Sequence, residues 1–239
     1  MIRIAMRLLG TGALLALAGC ASAPLHYYTL VAPAEGPAGG LVAPAEGPAG
    51  GLVAPAQGPT GGLVAPAGEP ALDTATPRAT SLPFELLPVG IPAQVDQPQL
   101  VVREGGQAVA VLNSERWIAP LGDEVRSALS DDLARELHSQ DITGLPGNDK
   151  PLLRIKLDLR RFDSQPGSYA LIEGSWSVRV LHDPHGAVLA CTSRVSEAVG
   201  PGYAALVQGH QRAIARLAAQ IAGAARSLGN GQAAACPAG

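Results

Sequence analysis

Residues 152–162 read LLRIKLDLRRF, and residues 170–182 read ALIEGSWSVRVLH. In both segments apolar and polar side chains alternate, which is the pattern of a strand with one buried face. Turn residues at 182–186 join the second segment to residues 186–199, which we interpret as the return strand. The sequence therefore predicts three long antiparallel strands at the centre of the fold.

Two amphipathic helices are predicted in addition to these strands. After Pro120, an apolar residue recurs every fourth position from Leu121 to Leu137. A second stripe runs from Tyr203 to Leu228, and it covers either the sheet, which we favour, or a partner. Residues 82–228 are thus predicted to form an α+β domain, an antiparallel sheet with two amphipathic helices packed on one face.

Shorter strands are predicted before the first helix. Residues 84–91 and 100–103 are apolar and flanked by turn residues, and residues 107–112 follow the hairpin turn Gly105–Gly106. Residues 25–30, LHYYTL, also have strong strand character. We therefore expect this early segment to be the first strand of the domain.

The N-terminus has the organisation of a secretion signal. Arg3 and Arg7 precede a short apolar stretch at residues 8–18, which is too short to span a bilayer. The stretch ends in Leu-Ala-Gly-Cys, which resembles the lipobox of bacterial lipoproteins. The resemblance implies a signal peptide at residues 1–19 and a lipidated Cys20, which attaches the chain to a phospholipid membrane.

The residues after Cys20 indicate which membrane the protein occupies. Ala21 and Ser22 follow the cysteine, and the aspartate that retains lipoproteins in the inner membrane is absent. By resemblance this favours the outer membrane, with the domain facing the periplasm. Residues 20–31 are expected to form the lipid anchor and first strand.

An eleven-residue repeat interrupts the chain. Residues 31–63 contain three copies of VAPAEGPAGGL or a close variant, each with two prolines and three glycines. No helical or strand period can run through such a unit, so residues 32–80 are predicted to be a disordered insertion. If residues 25–30 form a core strand, which we favour, the repeat is a surface loop; if they do not, it is a tether.

The composition and motifs exclude several function classes. The chain has 17 basic and 20 acidic residues, so nothing indicates nucleic acid binding. It has neither a phosphate-binding loop of the G-x-x-x-x-G-K-[ST] type nor a G-x-S-x-G nucleophile motif. His182 and His185 lack further metal ligands at suitable spacing, and His210 on the last helix is interpreted as packed or partner-facing. No catalytic residue, metal site or cofactor is predicted.

Cys191 and Cys236 are the cysteines beyond the anchor. Cys191 alternates with Leu189 on the apolar side of a predicted strand, which favours a buried free thiol. A disulfide with Cys236 is the alternative, since the periplasm is oxidising. Residues 229–239 are otherwise predicted to be a disordered tail.

Five residues are singled out as a partner-binding or fold motif. Tyr27 and Tyr28 follow the anchor, and Trp117 directly precedes a helix start. Asp96 and Arg103 belong to a long segment that contains two prolines. The structural interpretation is that Trp117 packs against the helix, while Asp96 and Arg103 are solvated or pair with each other. The functional interpretation is contact with a partner, and both remain open.

Several motifs in order resemble one family, the ABC-transport auxiliary lipoproteins of the PqiC type, or membrane integrity-associated transporter subunits. After the lipobox they are Tyr-Tyr-Thr-Leu (27–30), Val-Gly-Ile-Pro (89–92), Val-Asp-Gln-Pro-Gln-Leu-Val-Val-Arg (95–103), Arg-Trp-Ile-Ala-Pro-Leu (116–121) and Tyr-Ala-Ala-Leu-Val (203–207). The repeat departs from the pattern, because this family passes from the first strand to the next by a much shorter loop.

The resemblance implies a non-catalytic role in lipid transport between membranes. Such lipoproteins partner a periplasmic MCE-domain protein and its inner-membrane permease, and the lipoprotein would hold the outer-membrane end of the path. A homo-oligomer is left open, and the apolar surface of the last helix, Leu217 and Ile221 included, would be buried in docking or self-assembly. The alternative is a periplasmic interaction lipoprotein that binds a cell-wall synthase or a Tol-type envelope complex.

Overall fold

A computed structural model describes residues 24–33, 82–147, 149–183 and 186–238. The predicted signal peptide, Cys20 and residues 34–80 of the insertion predicted at 32–80 lie outside the described residues. Along the described chain the elements are β1 (His26–Tyr28), β2 (Phe84–Leu86), β3 (Gln99–Gly105), β4 (Ala108–Trp117), α1 (Leu121–Leu137), β5 (Leu152–Gln165), β6 (Tyr169–Leu181), β7 (Val188–Ala198) and α2 (Tyr203–Gly229).

The three long predicted strands are present as β5, β6 and β7, paired antiparallel in sequence order. Their apolar positions face the core, and Ile155, Leu157 and Val178 are fully buried. The alternation in the sequence thus identified the centre of the sheet correctly, because one face of each strand is covered and the other meets solvent.

The described strands form two mixed sheets, whereas the sequence predicted a single antiparallel one. The larger sheet has the order β2-β5-β6-β7 and the smaller has the order β1-β4-β3. β1 pairs with β4 and β2 pairs with β5, both in parallel. Each of these two edge strands has only three residues, too few to display a period. Their partners lie far along the chain, so the parallel pairing is invisible to a local pattern.

The helices cover the sheets on the side of the common core. The long helix α2 lies over β6 and β7, and α1 packs beside it. Val207, Ile214, Leu217 and Ile221 of the predicted stripe are all buried. The stripe therefore covers the sheets, as favoured from the sequence. The expectation that Leu217 and Ile221 face a partner is wrong, because these side chains are part of the core.

A disulfide joins Cys191 of β7 to Cys236, with Cα atoms 5.5 Å apart. This replaces the free thiol that the sequence favoured for Cys191. The segment after α2 is irregular but held against β7 by this bond, and Ala234 packs on the core. The pairing depends on where α2 ends in space, which the composition of the tail does not reveal.

Candidate functional site

The predicted lipidation residue lies close to the folded domain along the chain. Cys20 itself is outside the described residues, and β1 begins at His26, six residues later. An extended chain spans at most about 3.5 Å per residue, so β1 starts within roughly 20 Å of Cys20. Within the described ranges, no helix combines the length and the apolar composition needed to cross a bilayer.

His26 and Tyr28 lie on the same face of β1, and both side chains contact Glu115 of β4. His26 Nδ1 lies 2.9 Å from Glu115 Oε1, and the Tyr28 hydroxyl donates to Oε2 at 2.7 Å. Burial raises the pKa of Glu115, but the hydrogen bonds from His26 and Tyr28 outweigh it, so the net pKa lies below its ordinary value. Burial, aided by Glu115, raises the pKa of Tyr28 to about 12. The tyrosine remains a donor to an ionised carboxylate, which fastens β1 to the sheet.

A second buried carboxylate binds the chain just after β1. Glu124, in the first turn of α1, accepts hydrogen bonds from the Thr29 hydroxyl at 2.8 Å and from the Leu30 backbone N–H at 2.7 Å. Both bonds reach the same oxygen, Oε2, and Leu30 is buried. Glu115 and Glu124 were not identified from the sequence. Glu115 lies beyond the strand predicted at 107–112, and Glu124 lies outside the apolar stripe of the first helix, so no local pattern marks either one as buried.

Tyr27 faces the opposite way from Tyr28. It is 57% exposed and stands beside Arg116 in the register of β1 and β4. The structure therefore separates the two predicted tyrosines, because successive side chains of a strand point to opposite faces.

Arg103 forms an ion pair with Asp163 of β5. Its Nε lies 2.7 Å from Asp163 Oδ1, and an Arg161 guanidinium nitrogen lies 2.6 Å from Oδ2. Burial raises the pKa of Asp163, but the two guanidinium groups outweigh it and hold the pKa below its usual range. The mutual pair of Asp96 and Arg103 considered from the sequence is wrong. The observed pair links β3 of the smaller sheet to β5 of the larger one.

Trp117 and Asp96 line the same shallow cavity, of about 310 Å³. The Trp117 ring is 6% exposed and meets Phe162 edge-on, with centroids 6.0 Å apart. Its backbone N–H donates to Pro98 O at 2.8 Å, which holds the proline-containing segment against the end of β4. Asp96 is exposed at the rim. Trp117 is therefore mainly a packing residue, whereas Asp96 is available for contact.

His210 is fully buried and forms a pair with Ser164. The Ser164 Oγ lies 2.8 Å from His210 Nε2, and the imidazole stacks on Phe162 at 3.9 Å. Burial lowers the pKa of His210 to about 3, so the ring is neutral at physiological pH. Although a serine–histidine pair can perform nucleophilic catalysis, this one lies inside the core where no substrate reaches it. The packed interpretation of His210 is confirmed.

Within the described residues, no three histidine, cysteine or acidic side chains come together in a way that could hold a metal ion. The residues singled out from the sequence thus form two groups. Tyr28, Arg103 and Trp117 make contacts inside the domain, whereas Tyr27 and Asp96 are exposed.

A family model described as the ABC-type transport auxiliary lipoprotein component matches residues 64–222, about two thirds of the chain. This chain therefore belongs to that family, which is also the family of PqiC. It is an auxiliary lipoprotein of an ABC-type transport system, and membrane-anchored as a lipoprotein. The family is not known to be catalytic and is associated with components of the transporter.

Three solved structures match parts of this chain at low sequence identity. An uncharacterised protein matches with a TM-score of 0.50 and 19% identity, over 60% of this chain and 91% of that one. A protein from Xanthomonas campestris matches with a TM-score of 0.46 and 16% identity, over 60% and 82%. A Caulobacter crescentus protein described as a candidate lipoprotein has a TM-score of 0.30 and 19% identity, over 45% and 79%. No curated protein matches.

Proposed function

We propose that this chain is a non-catalytic outer-membrane lipoprotein that docks the periplasmic MCE component of an intermembrane lipid transport system. The observation that carries the proposal is the family match over residues 64–222. The lipobox that ends at Cys20 supports attachment to a membrane by lipid. Ala21 and Ser22 follow it in place of an aspartate, which supports the outer membrane as that membrane. The inner-membrane permease is then the distal partner, reached through the MCE protein.

The position of the repeat supports this role over that of a long-reach interaction module. Leu30, just before the repeat, and Phe84, just after it, are both buried in the core. An insertion whose two ends are held in one domain adds no distance between that domain and its lipid. The alternative of a cell-wall synthase or Tol-type partner drew its support from a tethering repeat, and it loses that support here.

Tyr27 and Asp96 are the members of the predicted motif that a partner can reach. Tyr28, Arg103 and Trp117 act instead by holding β1, β3 and the end of β4 in place. We assign partner contact to the rim around Asp96 because an exposed carboxylate beside a cavity offers both a charge and an apolar recess.

A photo-crosslinking experiment in membranes of the native host tests the proposal. A photoreactive amino acid replaces Asp96 in the lipidated protein. The control position is Val188 on β7, which is 55% exposed. An MCE-domain protein should be captured at Asp96 and not at Val188, with the permease co-purifying. Capture of a synthase or a Tol-system protein, with no MCE protein at any position, would refute the proposal.

A further inference from the structure

Exposed apolar side chains are concentrated on one part of the described surface. Five of the seven large apolar residues that are exposed belong to β1, β4 or positions adjoining these strands. They are Leu25, Tyr27, Val109, Val111 and Ile118. We call these five residues the apolar strip. The other two, Leu145 and Val188, lie on separate elements, so the clustering is not a general property of this surface.

The apolar strip occupies the side of the smaller sheet that faces away from the helices. On the inner side, Val102, Ala110 and Leu112 pack with Leu206 of α2. Val109 and Val111 alternate with these inner residues along β4 and point outward. An irregularity in the pairing of β3 with β4 then shifts the inner positions to Glu115 and Trp117, so Arg116 and Ile118 point outward as well. Towards β3 this side borders a recess, in which Val109 lies beside Arg103 and residues 160–163 of β5. The five members of the apolar strip are themselves exposed.

The lipid anchor enters the domain beside the middle of the apolar strip. β1 starts opposite Glu115 of β4. At about 3.3 Å per residue, Ile118 is roughly 10 Å from that point along β4 and Val109 roughly 20 Å. The five residues from Cys20 to Leu25 extend over at most about 18 Å. All five members of the apolar strip are therefore within reach of the membrane surface that holds the lipid.

The charge on this side suits a phospholipid surface. Arg116 lies next to Tyr27 in the register, and its Nε contacts only the Asn113 carbonyl oxygen, at 3.4 Å. Within the described residues Arg116 has no carboxylate partner. The neighbouring Glu115 is buried and is hydrogen-bonded to His26 and Tyr28 instead. Tyrosine and arginine beside aliphatic residues are the side chains that settle at the boundary between headgroups and acyl chains.

We propose that the apolar strip lies against the phospholipid leaflet that holds Cys20, with Arg116 at the level of the lipid phosphates. The inference rests on the lipid anchor of the proposed function and adds the orientation of the domain. The helices then face the periplasm, and the cavity beside Asp96 opens at the edge of the membrane contact. A lipid leaving a docked partner there would have a short path to the bilayer.

Depth-dependent quenching in vesicles tests the orientation without any partner protein. Lipidated full-length mature protein is reconstituted into phosphatidylethanolamine–phosphatidylglycerol vesicles. It carries a fluorophore at Val111→Cys or, as a matched control on another exposed β-strand valine, at Val188→Cys. Nitroxide-labelled phospholipid should quench the label at 111 about threefold or more and leave that at 188 nearly unchanged, since interfacial residues lie within reach of the acyl chains. Arg116→Gln should reduce the quenching at 111.

The outcomes separate the anchor from the orientation. Flotation of the vesicles reports whether the lipid holds the protein, and failure to float would remove the anchor and the inference with it. Flotation with equal quenching at both positions would overturn the inference and leave the anchor and the proposed partner intact. Quenching at 111 that is lost when the protein is crowded on the vesicle would instead assign the strip to a second copy of the chain.

Discussion

Two glycines of α2 predict opposite effects for the same substitution. Gly209 faces the sheet, and a methyl group added there would lie 2.2 Å from Val199 Cγ1 and 3.0 Å from Ala170 Cβ. Gly223, four turns further along the same helix, has nothing within 4 Å of that position. Gly209→Ala and Gly223→Ala therefore share their effect on helix propensity and differ only in packing.

The expected magnitudes follow from these distances. Alanine stabilises a helix interior by about 1 kcal/mol relative to glycine, and Gly223→Ala should gain that amount. Non-bonded carbon atoms prefer about 3.5–4 Å, so Gly209→Ala forces Val199 to a poor rotamer or moves the helix away from β6. Overpacking of this kind costs about 1–3 kcal/mol, which cancels or outweighs the gain in propensity. Because the two variants share that gain, their stabilities should differ by the packing cost alone, about 1–3 kcal/mol.

Urea unfolding of the mature chain, followed by circular dichroism with the disulfide intact, measures this difference. With a slope of about 2 kcal/mol per molar urea, the midpoints should be separated by roughly 1 M. If Gly209→Ala were as stable as Gly223→Ala, the close contact of α2 with Val199 and Ala170 would be refuted.

Replacing Cys191 and Cys236 by alanine should cost about 4 kcal/mol, because a bridge across 45 residues restricts the unfolded chain; an unchanged urea midpoint would contradict this. Asp132→Asn should stabilise the domain by roughly 2–3 kcal/mol at pH 7.5, because burial raises the pKa of Asp132 to about 6 and the charged form is disfavoured in the folded state. The wild type recovers this stability as the pH falls through 6, so a gain that persists at pH 4 would point to another cause. His210→Gln should weaken the loss of stability at acid pH. Burial lowers the pKa of His210 to about 3, so between pH 6.5 and pH 4 only the unfolded wild type binds a proton at this residue. The free energy of unfolding of the wild type therefore decreases by about 3 kcal/mol over this range. An acid limb of the same slope in His210→Gln would contradict that assignment.

Long periodic segments were predictable from the sequence, and short ones were not. The helix expected at Leu121–Leu137 has those bounds in the structure, and β5 and β6 agree with their alternating segments to within a few residues. β4 was expected to end at Leu112 but continues to Trp117. Most residues after Leu112 are polar, and the positions that face inward change there from even-numbered to odd-numbered residues. The alternation that identifies a strand is therefore lost.

The internal contacts of the candidate site depended on tertiary structure. Arg103 was identified, but its partner Asp163 is 60 residues away, and no feature of the local segment selects it over Asp96. Tyr28 was identified as well, whereas its acceptor Glu115 lies 87 residues away. The roles of Glu115 and Asp163 follow from their burial, because a buried carboxylate needs hydrogen-bond donors such as Tyr28 and Arg103. The local sequence does not show that burial.

The sequence alone determined the central strands, the helices and the family of this protein, and it predicts the lipoprotein signal, because these properties are contained in neighbouring residues or in short ordered motifs. The tertiary structure decided that β1 and β2 pair in parallel at the edges of their sheets and that Cys191 is bonded to Cys236. It also decided that Tyr27 is exposed, while Tyr28 is hydrogen-bonded to Glu115. The physical reason is that such pairings are made between segments far apart in the chain. Their loop-closure entropy is compensated only when the whole core assembles, so no local pattern records them.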